Sequence, residues 1–172
     1  MAENLAELIL NDVEAFEEYK SANSDIQIQE ADFSHALLAD LDFTDIDFAG
    51  SSFQEANLQN IKFVDCNLES VDFSRAQLTE CDFSGCILNG ATFSYATVSF
   101  CNFSEADMAG VNLSEADLSD SDLSTSENLE SCRFDEDTVW PEVEKLPEDF
   151  DCTYNYDLSS LREEDDTTQE QY

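Results

Sequence analysis

From Ala31 the apolar positions fall into blocks of five: ADFSH, ALLAD, LDFTD, IDFAG, and onward without a gap to SDLST. The central residue of each block, from Phe33 to Leu123, is Phe, Leu, Val or Met, and the residue two before it is small or aliphatic. A period of five fits neither a helix nor a strand, so the chain must turn a corner every five residues. Phe recurs at every second center, as Phe33, Phe43, Phe53, Phe63, Phe73, Phe83, Phe93 and Phe103, with Leu-type residues between most of them. A three-sided solenoid would stack Phe on Leu, and a two-sided one would be too thin to enclose a core. Four sides stack like on like: Phe33 under Phe53, Phe73 and Phe93, and Phe43 under Phe63, Phe83 and Phe103. Leu38, Leu58, Leu78, Val98 and Leu118 make a third column, and Phe48, Leu68, Leu88 and Met108 a fourth. The pattern predicts a four-sided β-solenoid of about five to six coils, roughly 26 Å long at about 4.8 Å per coil. One extra residue after Leu123 predicts a bulge within Ser124–Asn128, after which Leu129, Phe134 and Val139 resume the central positions.

These blocks resemble the pentapeptide-repeat family, whose consensus is roughly A-(D/N)-(L/F)-x-x. The resemblance covers about two thirds of the chain. It implies a right-handed quadrilateral β-helix, the hand coming from the resemblance alone. Leu37, Ser52, Lys62, Gln77, Ile87, Thr92 and Thr97 depart from the Asp/Asn position, which questions local turn bonding and leaves the fold intact.

Open solenoid ends expose core and unpaired backbone, so caps are required. Leu5, Leu8, Ile9, Val13 and Phe16 fall at helical spacing and predict an amphipathic helix over Ala2–Lys20. With the segment that follows, it resembles the helical lead-in of cyanobacterial members of the family. Near the other end, Trp140 is placed to cover the last coil and Pro141 to stop strand pairing. The expected organization is a cap over 1–25, the β-helix over 26–141 and an acidic segment over 142–172. The part beyond about residue 158 reads as disordered.

Charge changes the functional picture. The 172 residues carry 41 Asp plus Glu against 6 Lys plus Arg, a formal net charge of −35. Such a surface repels phosphate backbones and anionic lipids, so direct nucleic-acid and membrane binding are not expected. No apolar run is long enough to span a bilayer, and the acidic N-terminus lacks the basic start of a secretory signal, which points to a cytoplasmic protein.

Catalytic chemistry finds no foothold. The one histidine, His35, sits at an outward repeat position beside Ser34, another repeat residue. Cys66, Cys81, Cys86, Cys101 and Cys132 occupy the small inward position and read as reduced core residues, leaving Cys152 as the reactive thiol. Asp45 and Asp65 should stack on adjacent coils, but no calcium loop or zinc spacing accompanies them. No phosphate loop, dinucleotide fingerprint or nucleophile elbow occurs. The chain is expected to be no enzyme, with no catalytic residue, metal or cofactor.

What remains is surface. Phe83 to Ser104 is a run of 22 residues without a charge, and its outward positions hold Ile87, Tyr95 and Phe100. They form a candidate patch for a protein partner that is basic around an apolar spot. Two binding functions follow: a non-catalytic interaction or scaffold rod, or a DNA mimic toward DNA gyrase. The second is implied by the quinolone-resistance members of the family. Those carry projecting loops or a C-terminal dimer helix, where this chain has one extra residue and an acidic tail.

Overall fold

The computed structural model describes residues 2–153. The expected disordered segment after residue 158 lies outside them.

Strands β1 (Leu37–Ala39), β2 (Asn57–Gln59), β3 (Gln77–Thr79) and β4 (Thr97–Ser99) pair in parallel in the order β1-β2-β3-β4. Their register is 20 residues per step, Leu38 on Leu58 on Leu78 on Val98. Isolated parallel bridges hold the other three sides at the same spacing, as in Asp32 to Ser52, Asp42 to Lys62 and Asp47 to Asn67. The coil is therefore four-sided, as the alternation of Phe and Leu required.

The inward residues form ladders of like side chains. Phe33, Phe53, Phe73 and Phe93 stack with ring centroids 4.8, 5.2 and 4.8 Å apart, and Phe63, Phe83 and Phe103 at 5.0 Å per step. Columns on opposite sides meet edge to face across the core, Phe53 on Phe63 at 5.8 Å and 84°, a favored aromatic geometry. All seven of these rings are buried. Where the small inward position holds Ser, the hydroxyl is satisfied: Ser51 donates to the Ile28 carbonyl at 2.8 Å and Ser121 to that of Val98 at 2.7 Å.

Turn chemistry explains the Asp/Asn position. At most turns the residue before the center accepts, through its side chain, a hydrogen bond from the backbone N–H two residues on: Asp42 from Thr44, Asp82 from Ser84, Asn112 from Ser114. Such Asx bonds favor turns. Ser52 and Thr92 make the same bond with a hydroxyl, each at 3.3 Å, so two of the departures are chemical substitutes. Leu37, Gln77 and Thr97 lie on β1, β3 and β4, which run extended instead of making this turn.

The N-terminal cap differs from the expected single helix. It is two helices, α1 (Ala2–Asn11) and α2 (Val13–Ala22), broken at Asp12, whose side chain accepts from the Ala15 N–H and caps α2. The break lets both apolar faces reach the first coil: Leu5 and Ile9 from α1, and Phe16 from α2, edge-on to Phe43 at 5.8 Å. A straight helix could not turn both faces onto one coil end, and Val13 stays exposed.

The C-terminal register also departs from expectation. Asp107 pairs with Glu127 at the regular offset, Asn112 with Arg133 one residue later and Asp117 with Val139 two residues later. The first extra residue is taken up after Glu127 by left-handed Asn128 and a 3₁₀ turn over Leu129–Ser131, in place of a bulge lying wholly within Ser124–Asn128. The second falls between Arg133 and Val139. It makes Thr138 the buried inward residue, its hydroxyl donating to the Leu113 carbonyl at 3.0 Å. Val139 is outward and exposed, and is not a central residue. Trp140 then packs with Phe134 and Phe150 at 5.2 and 5.0 Å over the end of the core.

Candidate interaction face

The corners between sides are built by residues two after each center, which through most of the rod take φ near +60°. Asp, Asn and Gly adopt that conformation most readily. Gly50, Gly85, Asp45, Asp65 and Asn60 follow this logic. The coil imposes the same φ on His35, Glu55, Ser70, Arg75, Glu80, Glu105 and Glu115, and Tyr95 (φ +61°) and Phe100 (φ +57°) are the corner positions that carry large aromatic rings.

Both rings are exposed, Tyr95 by 49% and Phe100 by 63%. They stand at the two corners that bound β4 (Thr97–Ser99), so the fold brings them to the two edges of one side. Ile87 is also exposed, but its bridges to Asn67 and Asp107 put it on the opposite side of the square. Of the three candidate residues, the structure joins Tyr95 and Phe100 and separates Ile87.

Tyr95 belongs to a ladder that climbs one corner. His35 Nδ1 lies 3.3 Å from Glu55 Oε2, and the Arg75 guanidinium lies over the Tyr95 ring at 4.9 Å. The Tyr95 hydroxyl bonds to Glu115, and that carboxylate raises its pKa. His35 is thus an exposed rung of this ladder. The other corner carries Asp40, Asn60, Glu80, Phe100 and Asp120 at successive coils, with Asn60 donating to Asp40 at 2.7 Å.

Sequence reasoning missed the side between these corners. The outward residues of β1–β4 are Leu37 and Ala39, Asn57 and Gln59, Gln77 and Thr79, Thr97 and Ser99, and none is charged. Each of the other three sides carries charge over the same coils, for example Asp32 and Asp72, Asp42 and Lys62, Asp47 and Glu69. These neutral positions are scattered 20 residues apart, so only the coil period could have collected them.

The thiols are set by burial. Cys66, Cys81, Cys86 and Cys101 are buried, and the Cys66 and Cys86 sulfurs donate to the carbonyls of Phe43 and Phe63. Burial pushes the Cys66 and Cys132 thiols each up to about 12, and Cys86 up as well. The hydrogen bond with Cys81, together with burial, raises Cys101. Cys132 and Cys152 are half-buried. Asp45 and Asp65 occupy successive corners, the Asp65 carboxylate lying over Gly85.

A family model described as pentapeptide repeats, in 8 copies, matches residues 27–63, 51–90 and 86–124. The chain belongs to the pentapeptide-repeat family. It is similar in structure to Rfr23, a pentapeptide repeat protein of the cyanobacterium Cyanothece 51142, at 21% identity and a TM-score of 0.63. That match covers 66% of this chain and 90% of Rfr23. A pentapeptide repeat protein from the Arabidopsis thaliana thylakoid lumen matches at 27% identity and a TM-score of 0.53, over 55% of this chain and 67% of that one. HetL from Nostoc sp. strain PCC 7120, a pentapeptide repeat protein involved in heterocyst differentiation regulation, matches at 22% identity and a TM-score of 0.47. It covers 67% of this chain and 59% of HetL. No curated protein sequence matches the chain. As a pentapeptide-repeat protein its coil is a right-handed β-helix.

Proposed function

We propose that this pentapeptide-repeat protein is a non-catalytic interaction rod that docks a protein partner through the side bearing Tyr95 and Phe100. One observation carries the reading: two exposed aromatics hold φ near +60° at the edges of one side of an acidic rod. A bulky residue in that conformation costs on the order of 1 kcal/mol or more. The same corner column already uses Asp40 and Asn60, so cheaper residues fit there. The Arg75 stack returns about 0.5–1 kcal/mol at Tyr95, and no aromatic or cation partner stands against Phe100 among the described contacts. The coil imposes this φ at its other corners too, so what favors recognition here is the choice of two exposed rings, where polar residues fill the other corners of the same columns. Six thiols without a disulfide among them fit the cytoplasm as the proposed compartment.

The DNA-mimic reading has less support. Duplex DNA presents a charge about every 1.7 Å of its axis, whereas β1–β4 expose a side whose outward residues carry no charge and whose fourth rung is flanked by two aromatics. A gyrase supercoiling assay with and without the protein tests that alternative.

For the interaction rod, the test is the double variant Tyr95→Asn, Phe100→Asn. Asn tolerates the corner conformation, so the melting temperature should hold or rise. Any partner that co-purifies with the wild-type protein from its native cells should be lost. Retained partners together with a lower melting temperature would show that the rings serve stability, and would defeat the reading.

A further inference from the structure

Resting on that reading, we propose that the neutral side formed by β1–β4 is a linear docking track for an amphipathic helix carrying Lys or Arg on both flanks. The track is two outward side chains wide and runs along the rod axis. It has apolar anchors at both ends: Leu37, 82% exposed, on the first rung, and the Tyr95–Phe100 pair on the fourth. Three steps of about 4.8 Å separate them by roughly 14 Å, the rise of about nine helical residues.

Missing turns explain why Asp is not used at Leu37, Gln77 and Thr97. They do not explain why no other charge appears on the four rungs, nor why an exposed Leu begins the track. The rims carry charge. Beside the four rungs one corner holds His35, Glu55, Arg75 and Tyr95 and the other Asp40, Asn60, Glu80 and Phe100, and the fifth coil adds Glu115, Asp117 and Asp120. Arg75, the rim's one arginine, is turned over Tyr95.

Charge complementarity selects the occupant. A neutral track on an acidic rod, with the rims made net acidic by Asp40, Glu80 and the fifth-coil Glu115 and Asp120, repels a second copy of a chain whose net charge is −35. It also repels this chain's own segment 154–172, which holds one Arg among several acids. A helix offers an uncharged stripe with side chains on both flanks, and so can meet both rims at once. A flat strand directs its side chains up and down and reaches the rims poorly.

The probe is a fluorescent synthetic helix of about 20 residues with Leu and Gln on one stripe and Lys on both flanks. A scrambled peptide of the same composition has no stripe. Both are titrated into the full-length protein by anisotropy. The ordered peptide should bind at least about tenfold more tightly than the scrambled one. Gln77→Lys with Thr97→Lys should weaken it about tenfold. Ile87→Lys with Asn67→Lys adds the same charge on the opposite side and should change it less than about twofold. Thermal melts confirm that the variants fold.

Equal binding of ordered and scrambled peptides, or equal loss in both lysine variants, would mean bulk attraction to an acidic protein and would overturn the track. So would self-association seen by sedimentation without peptide binding. Tighter peptide binding after truncation at Thr153 would assign the track to the chain's own C-terminal segment instead. If Tyr95→Asn, Phe100→Asn weakens the peptide while Gln77→Lys, Thr97→Lys does not, the aromatic site survives and the track fails. If neither variant matters, both readings fail.

Discussion

At the residue scale, every repeat position answers to one of two demands, fitting the column or making the corner. The inward positions select by volume, since a ring under a ring fills a fixed layer spacing. The corner positions select by backbone conformation, and Gly85 shows both constraints. Its φ is +67°, and a Cβ there would fall 2.2 Å from Asp65 Oδ1, so the carboxylate would have to swing away. Gly50, at φ +69°, has only the Glu30 Cγ at 3.6 Å. Gly50→Ala should therefore cost about 1 kcal/mol from backbone conformation alone. Gly85→Ala should cost measurably more, read as a larger drop in the urea midpoint at an unchanged slope. Equal losses would show that Asp65 moves freely. The corner aromatics were readable in the sequence as a charge gap, but their strain was not, because φ follows from the coil and not from the local residues.

At the scale of elements, the caps decide whether the ladders end safely. α2 is fastened to the first coil by Lys20, whose Nζ lies 2.7 Å from Asp42 Oδ1 and also donates to the Asp42 carbonyl. Burial works to raise the Asp42 pKa, but hydrogen bonds from Lys20 and Thr44 outweigh it and bring it from 3.8 down to about 2. A folded-state pKa below the unfolded one stabilizes above the unfolded value and is lost as pH falls through the folded value. The wild-type protein should thus melt higher than Lys20→Met at neutral pH. That gap should shrink between about pH 4 and pH 2, leaving the part due to the carbonyl bond. A gap that stays constant to pH 2 would show that the ion pair adds nothing. The sequence announced a cap through Leu5, Ile9 and Phe16. The break at Asp12 depends on the angle at which the helices meet the first coil, and a helical spacing pattern carries no such angle.

At the scale of the whole molecule, each coil rests only on its neighbors, so exposure should proceed from the ends. The thiols report it. Cys152 and Cys132 are half-buried toward the C-terminal end, while Cys66, Cys81, Cys86 and Cys101 are sealed inside the ladders. A thiol reagent at pH 8 should label Cys152 first and Cys132 more slowly. The four interior thiols should react only once denaturant opens the rod, as counted by mass spectrometry. Rapid labeling of all six in native protein would contradict the inward placement. The sequence by itself determined the period of five, the four sides and the columns of Phe on Phe. These follow from one repeated demand, that side chains 20 residues apart stack at a fixed spacing, and such a demand is written into the chain as a pattern. It also determined which turns could use Asp or Asn. The placement of Ile87 away from Tyr95 and Phe100 and the uncharged side of β1–β4 were implicit in the 20-residue coil. Only the tertiary structure decided that the cap breaks at Asp12 and that the register slips twice near the end. Those two facts depend on where the end caps let the coil relax, and such contacts exist only after the coil has closed.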